Sequence, residues 1–370
     1  MRTVHVLAGI PSLNNALYWR IRFLVGDPTA LVITHDAGRA ESTLIIRDIE
    51  MERARKHARA DRVSCPADWT PAGGLSGDRE TATAQALAEC VRRMGATSVT
   101  CDRSFPAIYE HELARAGITC TCDPTLGVKE RRSKDPQEIE WIAAAQQATE
   151  SAMELACSMI ARARAGADGM LVHDGAPLTA ERVKREIDVH LLGLGYENPE
   201  PIVAPGPVGA DCHDHGHGLI RTGEPVIVDI FPRSRSTRYN GDCTRTVVHG
   251  AVPPEVARMH AAVVAAKGAA TAATRAGVTG DAVHAATIAA LAPGTRAVRP
   301  RMRAPTGAAW CMARATDWAS KSMNHRCWRR WDPSSSWAMC SRSSRGCTKP
   351  AWAASGSRTW SWSRRRAAAT

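Results

Sequence analysis

The sequence predicts two mixed α/β domains followed by a tail of foreign composition. Three observations predict this. Residues 1–132 alternate strand-like and helix-like segments. A well-signalled helix start at Asp135 opens a second region of long helices and few strands over 133–293. Past Val298 there is no Leu, Ile, Val or Phe in 72 residues, while eight of the eleven Trp crowd in. At 370 residues the chain has room for two full cores, since a domain takes roughly 100–200 residues.

In the first domain, "TALVITH" and "STLIIR" are short apolar runs that read as buried strands. "IEMERARKHARA" and "TATAQALAECVRRMG" place apolar residues three and four apart and read as helices, and "ATSVTCD" is another short strand. Such alternation predicts an α/β fold. The basic "KERRSK" suits a linker. After it, Asp135 as N-cap, Pro136 at the first helical position and Glu138 at the third start a helix running to about Ala165. Further helices are expected over "TAERVKREIDVHLLGLG", "PPEVARMHAAVVAAKGAATAATRAG" and "GDAVHAATIAAL", with strands at "EPVIVDIF" and "CTRTVVHG".

The formal charge of +11 is unevenly spread. From Arg296 onward lie sixteen Lys and Arg against Asp317 and Asp332, so residues 1–295 hold 32 basic and 35 acidic residues. A nucleic-acid interface needs a basic face on a folded domain, and the body has none, so no nucleic acid is expected. Twelve scattered Cys, with Cys120 and Cys122 the closest pair, give neither a zinc ribbon nor a disulfide framework. The first twenty residues hold too short an apolar run for a signal peptide, and no stretch nears the ~18 apolar residues of a membrane span. A cytoplasmic protein without membrane contact is the expectation.

The chemistry concentrates in "DCHDHGHGLIRTGEPVIVDIFPRSRSTRYNGDCTRTVVHG", Asp211 to Gly250. Asp229 interrupts an apolar strand, where an unpaired carboxylate would cost several kcal/mol, so it needs a cation or a donor. Asp242 opens the next strand, and carboxylates on adjacent strands suit a divalent metal. An isolated Asp of this kind more often ends a strand or caps a turn; the pairing argues against that here. His213, His215 and His217 form an H-x-H-x-H run that could face one side of an extended strand in a zinc-like way. For His215 and His217 a solvent-facing loop is the preferred reading.

"VIVDIFPR…YNGDCTRTVVHG" resembles the first half of the metal site in the pita-bread metallopeptidases, the family of Xaa-Pro aminopeptidases, prolidases, methionine aminopeptidases and creatinase. The resemblance implies an α/β creatinase/prolidase-like N-terminal domain and an α+β pita-bread catalytic domain. It implies Asp229 and Asp242 as ligands of two divalent ions (Mn, Co or Zn) that activate a bridging water against a small peptide substrate. His213, sixteen residues before Asp229, matches a family His that faces the substrate, with Cys212 in place of the usual Pro. A homodimer is left open.

The family's remaining ligands, a His in "HGxGHGxGxxxHE", a Glu in "EPG" and a Glu in "GGxRxED", do not occur after Asp242. Reading each codon one base earlier changes this. The code then forces glycine at the codon of Ala313, leucine at Trp318, glycine at Ala319 and glutamate at Asn324, whatever synonymous codons were used. Met312 to His325 becomes compatible with H-G-P-G-H-G-L-G-L-E-V-H-E-P, "SSRG" with V-E-P-G, and "ASGSRTWSWS" with G-V-R-I-E-D-L-V-V-V. Residues 294–370 are therefore expected to be an out-of-frame, disordered tail, the switch falling near 290–305, and the chain as it stands inactive. The rival reading is a truncated, non-catalytic binding or dimerisation module.

Overall fold

The structure is a computed structural model that describes residues 3–296. The expected out-of-frame tail falls, apart from its first three residues, outside those described. The chain divides into two compact units, one ending at Ser133 and one beginning at Lys134.

The first unit is a six-stranded sheet with helices on both faces. Its elements are β1 (Thr3–Gly9), α1 (Asn15–Ile21), β2 (Thr29–Asp36), β3 (Arg39–Ile45), α2 (Met51–His57), β4 (Arg62–Ser64), α3 (Arg79–Arg93), β5 (Ser98–Asp102), α4 (Ala107–Arg115) and β6 (Thr119–Asp123). The order across the sheet is β4-β3-β2-β1-β5-β6; β1, β2 and β3 pair antiparallel, the outer pairings parallel. The apolar run of β2 is buried on both faces. Ala30 and Val32 meet Leu87, Val91 and Leu113 of α3 and α4, while Leu31 and Ile33 meet Leu17 and Ile21 of α1. Strand β1, whose apolar run is too short for a signal, sits near the centre of the sheet. Periodicity does not single it out, because Thr3 and His5 dilute its seven residues.

The second unit opens on α5 (Pro136–Arg162). The expected cap is there as a reciprocal capping box: Asp135 Oδ1 accepts the Glu138 N–H at 2.8 Å, and Glu138 Oε2 accepts the Asp135 N–H at 2.9 Å. A small three-stranded sheet follows, β7 (Arg164–Ala165), β8 (Leu171–His173) and β9 (Ala176–Pro177), then α6 (Ala180–Gly193), with the Thr179 hydroxyl accepting the Arg182 N–H at 3.2 Å. Next come β10 (Tyr196–Glu197), β11 (Ile202–Pro205), β12 (Pro225–Ile230), β13 (Arg233–Ser234), β14 (Cys243–Val248), α7 (Pro254–Ala273) and α8 (Gly280–Arg296). β12 lies between β11 and β14, antiparallel to both.

Alternation along these strands decides what each face carries. Val226, Val228 and Ile230 of β12, with Cys243 and Val247 of β14, enter one core with Ala152, Met153, Ala156 and Ile160 of α5 and Val183, Ile187 and Leu191 of α6. Each buried aliphatic contributes roughly 1.5–3 kcal/mol, so this packing holds the sheet on its two helices. The other face of β12 carries Ile227 and Asp229.

Candidate metal site

Asp229 pairs with Thr244 across β12 and β14. Asp242 lies two residues before Thr244, and side chains repeat their face every second residue. Asp229, Thr244 and Asp242 therefore share the face turned away from the α5–α6 core. The Thr244 hydroxyl donates to Asp229 Oδ1. This is the donor a carboxylate inside an apolar strand requires, and it turns Asp229 into a fixed rotamer.

Asp242 is placed by α5. Its backbone N–H donates to Gln146 Oε1 at 3.1 Å. Just before it, Gly241 lies so close to the helix that a Cβ there would sit 2.1 Å from Thr149 Oγ1 and 2.5 Å from the Ala145 carbonyl oxygen. At the far end of the preceding loop, the Tyr239 hydroxyl donates to Glu138 Oε1, and the Tyr239 and Trp141 rings pack with centroids 5.4 Å apart. Residues 138, 141, 145 and 149 fall three or four apart and so form a stripe along one face of α5. That stripe is the template on which the loop carrying Asp242 is laid.

Both carboxylates are half-buried. Burial, offset in part by the Thr244 hydrogen bond, raises the Asp229 pKa above the ordinary carboxylate value. Burial and then the negative charge of Asp229 push Asp242 up to about 7. A buried carboxyl whose ionisation is opposed by burial and by a neighbouring carboxylate lies where positive charge would be stabilised. As a donor set for a metal pair they are two of the five ligands the family resemblance implies: two oxygen-bearing groups on one face fit, but among the described residues no three His, Cys, Asp or Glu come together as a metal-holding group.

The three histidines behave differently. The segment from Asp211 to Ile220 is a loop rather than an extended strand, and His213, His215 and His217 are all exposed on it. The H-x-H-x-H run makes no zinc-like cluster among the described residues. His215 sits against the Glu200 carbonyl, Nδ1 to O 3.0 Å, and its own carbonyl accepts the Val203 N–H at 3.0 Å, so the loop is stitched along β11. The stitch requires glycine next to it. Gly216 has φ +75°, and a Cβ there would fall 1.8 Å from the Val203 carbonyl oxygen. The His213 backbone N–H donates to Asp211 Oδ1 at 2.9 Å.

Thr244, Gln146, Tyr239 and Gly241 are absent from the sequence-based site. Thr244 stands in the quoted "GDCTRT" string, and strand alternation alone would have placed it beside Asp229. Glu138 is read from sequence only as a helix cap. Its second partner lies 101 residues away, beyond the reach of any local pattern.

A central strand carrying one carboxylate is thus paired to a strand that leads out of a second on the same face. Residues 140–312 match the model of metallopeptidase family M24. The fold is shared with a dipeptidase PepE from Mycobacterium ulcerans (25% identity, TM-score 0.59, 81% of this chain and 74% of that one). It is shared too with an Xaa-Pro dipeptidase from Bacillus anthracis (19%, 0.61, 79% and 73%) and the prolidase from Pyrococcus horikoshii OT3 (19%, 0.59, 79% and 73%). Among curated proteins no sequence match is found. The family match spans just under half of the chain, and together with the shared fold it supports a hydrolase of the M24, pita-bread metallopeptidase type. Members of that family generally depend on a pair of metal ions. No helix among the described residues is long and apolar enough to cross a membrane.

Proposed function

We propose that this fold serves a metal-dependent peptidase of the Xaa-Pro aminopeptidase or dipeptidase type, removing an N-terminal residue from a small peptide. Asp229 and Asp242 act as its carboxylate ligands, and His213 faces the substrate. The observation that carries the reading is the cross-strand pair itself: two half-buried carboxyls on one face, one of them pushed up to about 7 by burial and by the other's charge. The substrate class is supported by the solved structures of like fold, among them a prolidase and an Xaa-Pro dipeptidase.

The same residues set the limit of the chain as it stands. Two carboxylates do not hold two ions, and the further His and Glu ligands of the family occur only in the shifted reading of residues 312–370. The active protein in this proposal is the frame-restored one, and the 370-residue chain is inactive. The absence of a three-ligand group among the described residues is also what a truncated, non-catalytic module would have. Sequencing the DNA around residues 285–310 separates the two readings: an extra or missing base supports the first, an intact frame the second.

The frame-restored protein, given Mn²⁺ and an Xaa-Pro dipeptide, should turn over, and Asp229→Ala or Asp242→Ala should each abolish both turnover and metal uptake. Near-normal turnover in either variant would refute the assignment. Turnover by the 370-residue chain above a metal-only blank would refute the frameshift account.

A further inference from the structure

The first unit carries three thiols in a row at one edge of its sheet. β6 is the last strand in the sheet order and pairs parallel with β5. The register sets Cys101 opposite Cys122 and Val99 opposite Cys120. Side chains return to the same face every second residue, so Cys101, Cys120 and Cys122 share the face on which α3 and α4 pack. Access to solvent rises along the row: Cys101 is 6% exposed, Cys120 half-buried and Cys122 exposed.

Cys101 lies in the core cluster and Cys120 packs against it, where a thiol serves as a small hydrophobe. Cys122 belongs to none of the buried clusters. Cysteine is among the residue types most often buried, and an exposed one directly opposite a second thiol is placed for exchange chemistry rather than for packing. Neighbouring strands lie roughly 4.8 Å apart, which sets the Cα atoms of Cys101 and Cys122 inside the roughly 4.4–6.8 Å that a disulfide spans. Cys120 is farther from Cys122, two residues along the same strand or roughly 6.6 Å, at the upper end of that span. Among the described residues no three His, Cys, Asp or Glu form a metal-holding group, which leaves these thiols to one another. Burial raises the pKa of Cys101 and of Cys120. The Cys101 thiol also donates a hydrogen bond to the Cys120 sulfur, which raises the first further and offsets part of the rise in the second. Both are held as thiols and make poor first nucleophiles, so Cys122 is the point of entry.

We propose that Cys122 and Cys101 form a thiol–disulfide exchange site that takes a low-molecular-mass disulfide. The Cys122 thiolate attacks one sulfur of the small disulfide and its S–S bond breaks. Cys122 becomes a mixed disulfide, and the first small thiol leaves with the electron pair and a proton. Cys101 Sγ then gives up its proton, bonds to Cys122 Sγ and expels the second small thiol. Two cysteines are oxidised and one disulfide is reduced to two thiols. The new bond ties the edge strand to β5 across the α4 crossover. The site uses no residue of the second unit and stands apart from the peptidase reading.

The test is oxidised glutathione at about pH 8.5, near the ordinary thiol pKa, on the reduced 370-residue chain, read by intact mass and peptide mapping. Cys122 should gain one glutathione at least about tenfold faster than Cys101 or Cys120. That adduct should then give way to a Cys101–Cys122 disulfide, and excess dithiothreitol should restore both thiols. Cys101→Ala should stop at the Cys122 adduct, while Cys120→Ala should follow the wild-type course. Cys122→Ser, an exposed position whose change leaves the core intact, should abolish both products at this edge. In the cross-linked chain β6 amides should exchange with solvent at least about tenfold more slowly than in the reduced chain. A Cys122 that stays unmodified in the folded chain overturns the proposal. So does a Cys122 disulfide that still forms in Cys101→Ala, or a wild-type adduct that never resolves.

Discussion

Gly241→Ala is the sharpest mechanical test of how the second carboxylate is held. The added methyl would sit 2.1 Å from Thr149 Oγ1 and 2.5 Å from the carbonyl oxygen of Ala145. A hydroxyl can rotate away; a carbonyl inside a 27-residue helix cannot. Overpacking of this kind costs typically 1–3 kcal/mol and more where backbone must move, so a loss of ~3 kcal/mol from the second unit is expected. Thr149→Ala in the same chain removes the nearer clash and leaves the backbone one, so it should restore ~1 kcal/mol, not the whole. Because α5 and the loop must part, the Asp242 N–H should lose its Gln146 partner. Hydrogen exchange read at β14 and at Asp242 reports the second unit alone, which a global melt of a two-unit chain does not. A Gly241→Ala chain with unchanged exchange at these amides, or one fully rescued by Thr149→Ala, would refute the claim that helix backbone seats this loop.

The other expectations are smaller. Tyr239→Phe removes the donor to Glu138 and should cost ~1–2 kcal/mol, with faster exchange across residues 232–242 and little change in β11; equal loosening of both would deny the loop its anchor. In the frame-restored protein His213→Ala should slow turnover strongly and leave bound metal in place, while His215→Ala should matter much less; metal loss with His213→Ala would instead support a histidine metal site. Glu89, held by Arg92 and Arg93 with its pKa lowered to about 2, contributes stability that is present above its unfolded value near 4.5 and lost as pH falls through about 2. Because both guanidinium groups are largely exposed, that contribution is ~1 kcal/mol, and Glu89→Gln should flatten the acid limb of urea unfolding by that amount; an unchanged limb would show the pair to be energetically idle.

How much of this could be read in advance depends on whether a signal is local. Helix α5 and its cap are legible because the three residues that start it, Asp135, Pro136 and Glu138, are neighbours in the chain, and both hydrogen bonds of the capping box close within three residues. Asp229 and Asp242 are legible for a different reason: an ionisable group inside an apolar strand is costly, so its presence demands an explanation. Strand β1 is not legible, since its partners β2 and β5 begin 26 and 95 residues after it does, and nothing within seven residues records that it will be central. Long-range partners hide the support of the site in the same way. Glu138 meets Tyr239 across 101 residues, and Gln146 meets Asp242 across 96. The H-x-H-x-H run shows the opposite error, a regular spacing without the geometry it suggests. Three histidines at alternate positions share a face only if the backbone is extended, and the left-handed turn at Gly216, forced by the Val203 carbonyl, breaks that condition between His215 and His217. Glycine at positions 216 and 218 was the sign against a strand, because a run that alternates histidine with glycine favours turns over pleat. The chemistry of the site is therefore visible as residue type, while its geometry rests on two glycines, one that bends the histidine loop away and one that lets the Asp242 loop lie down on α5.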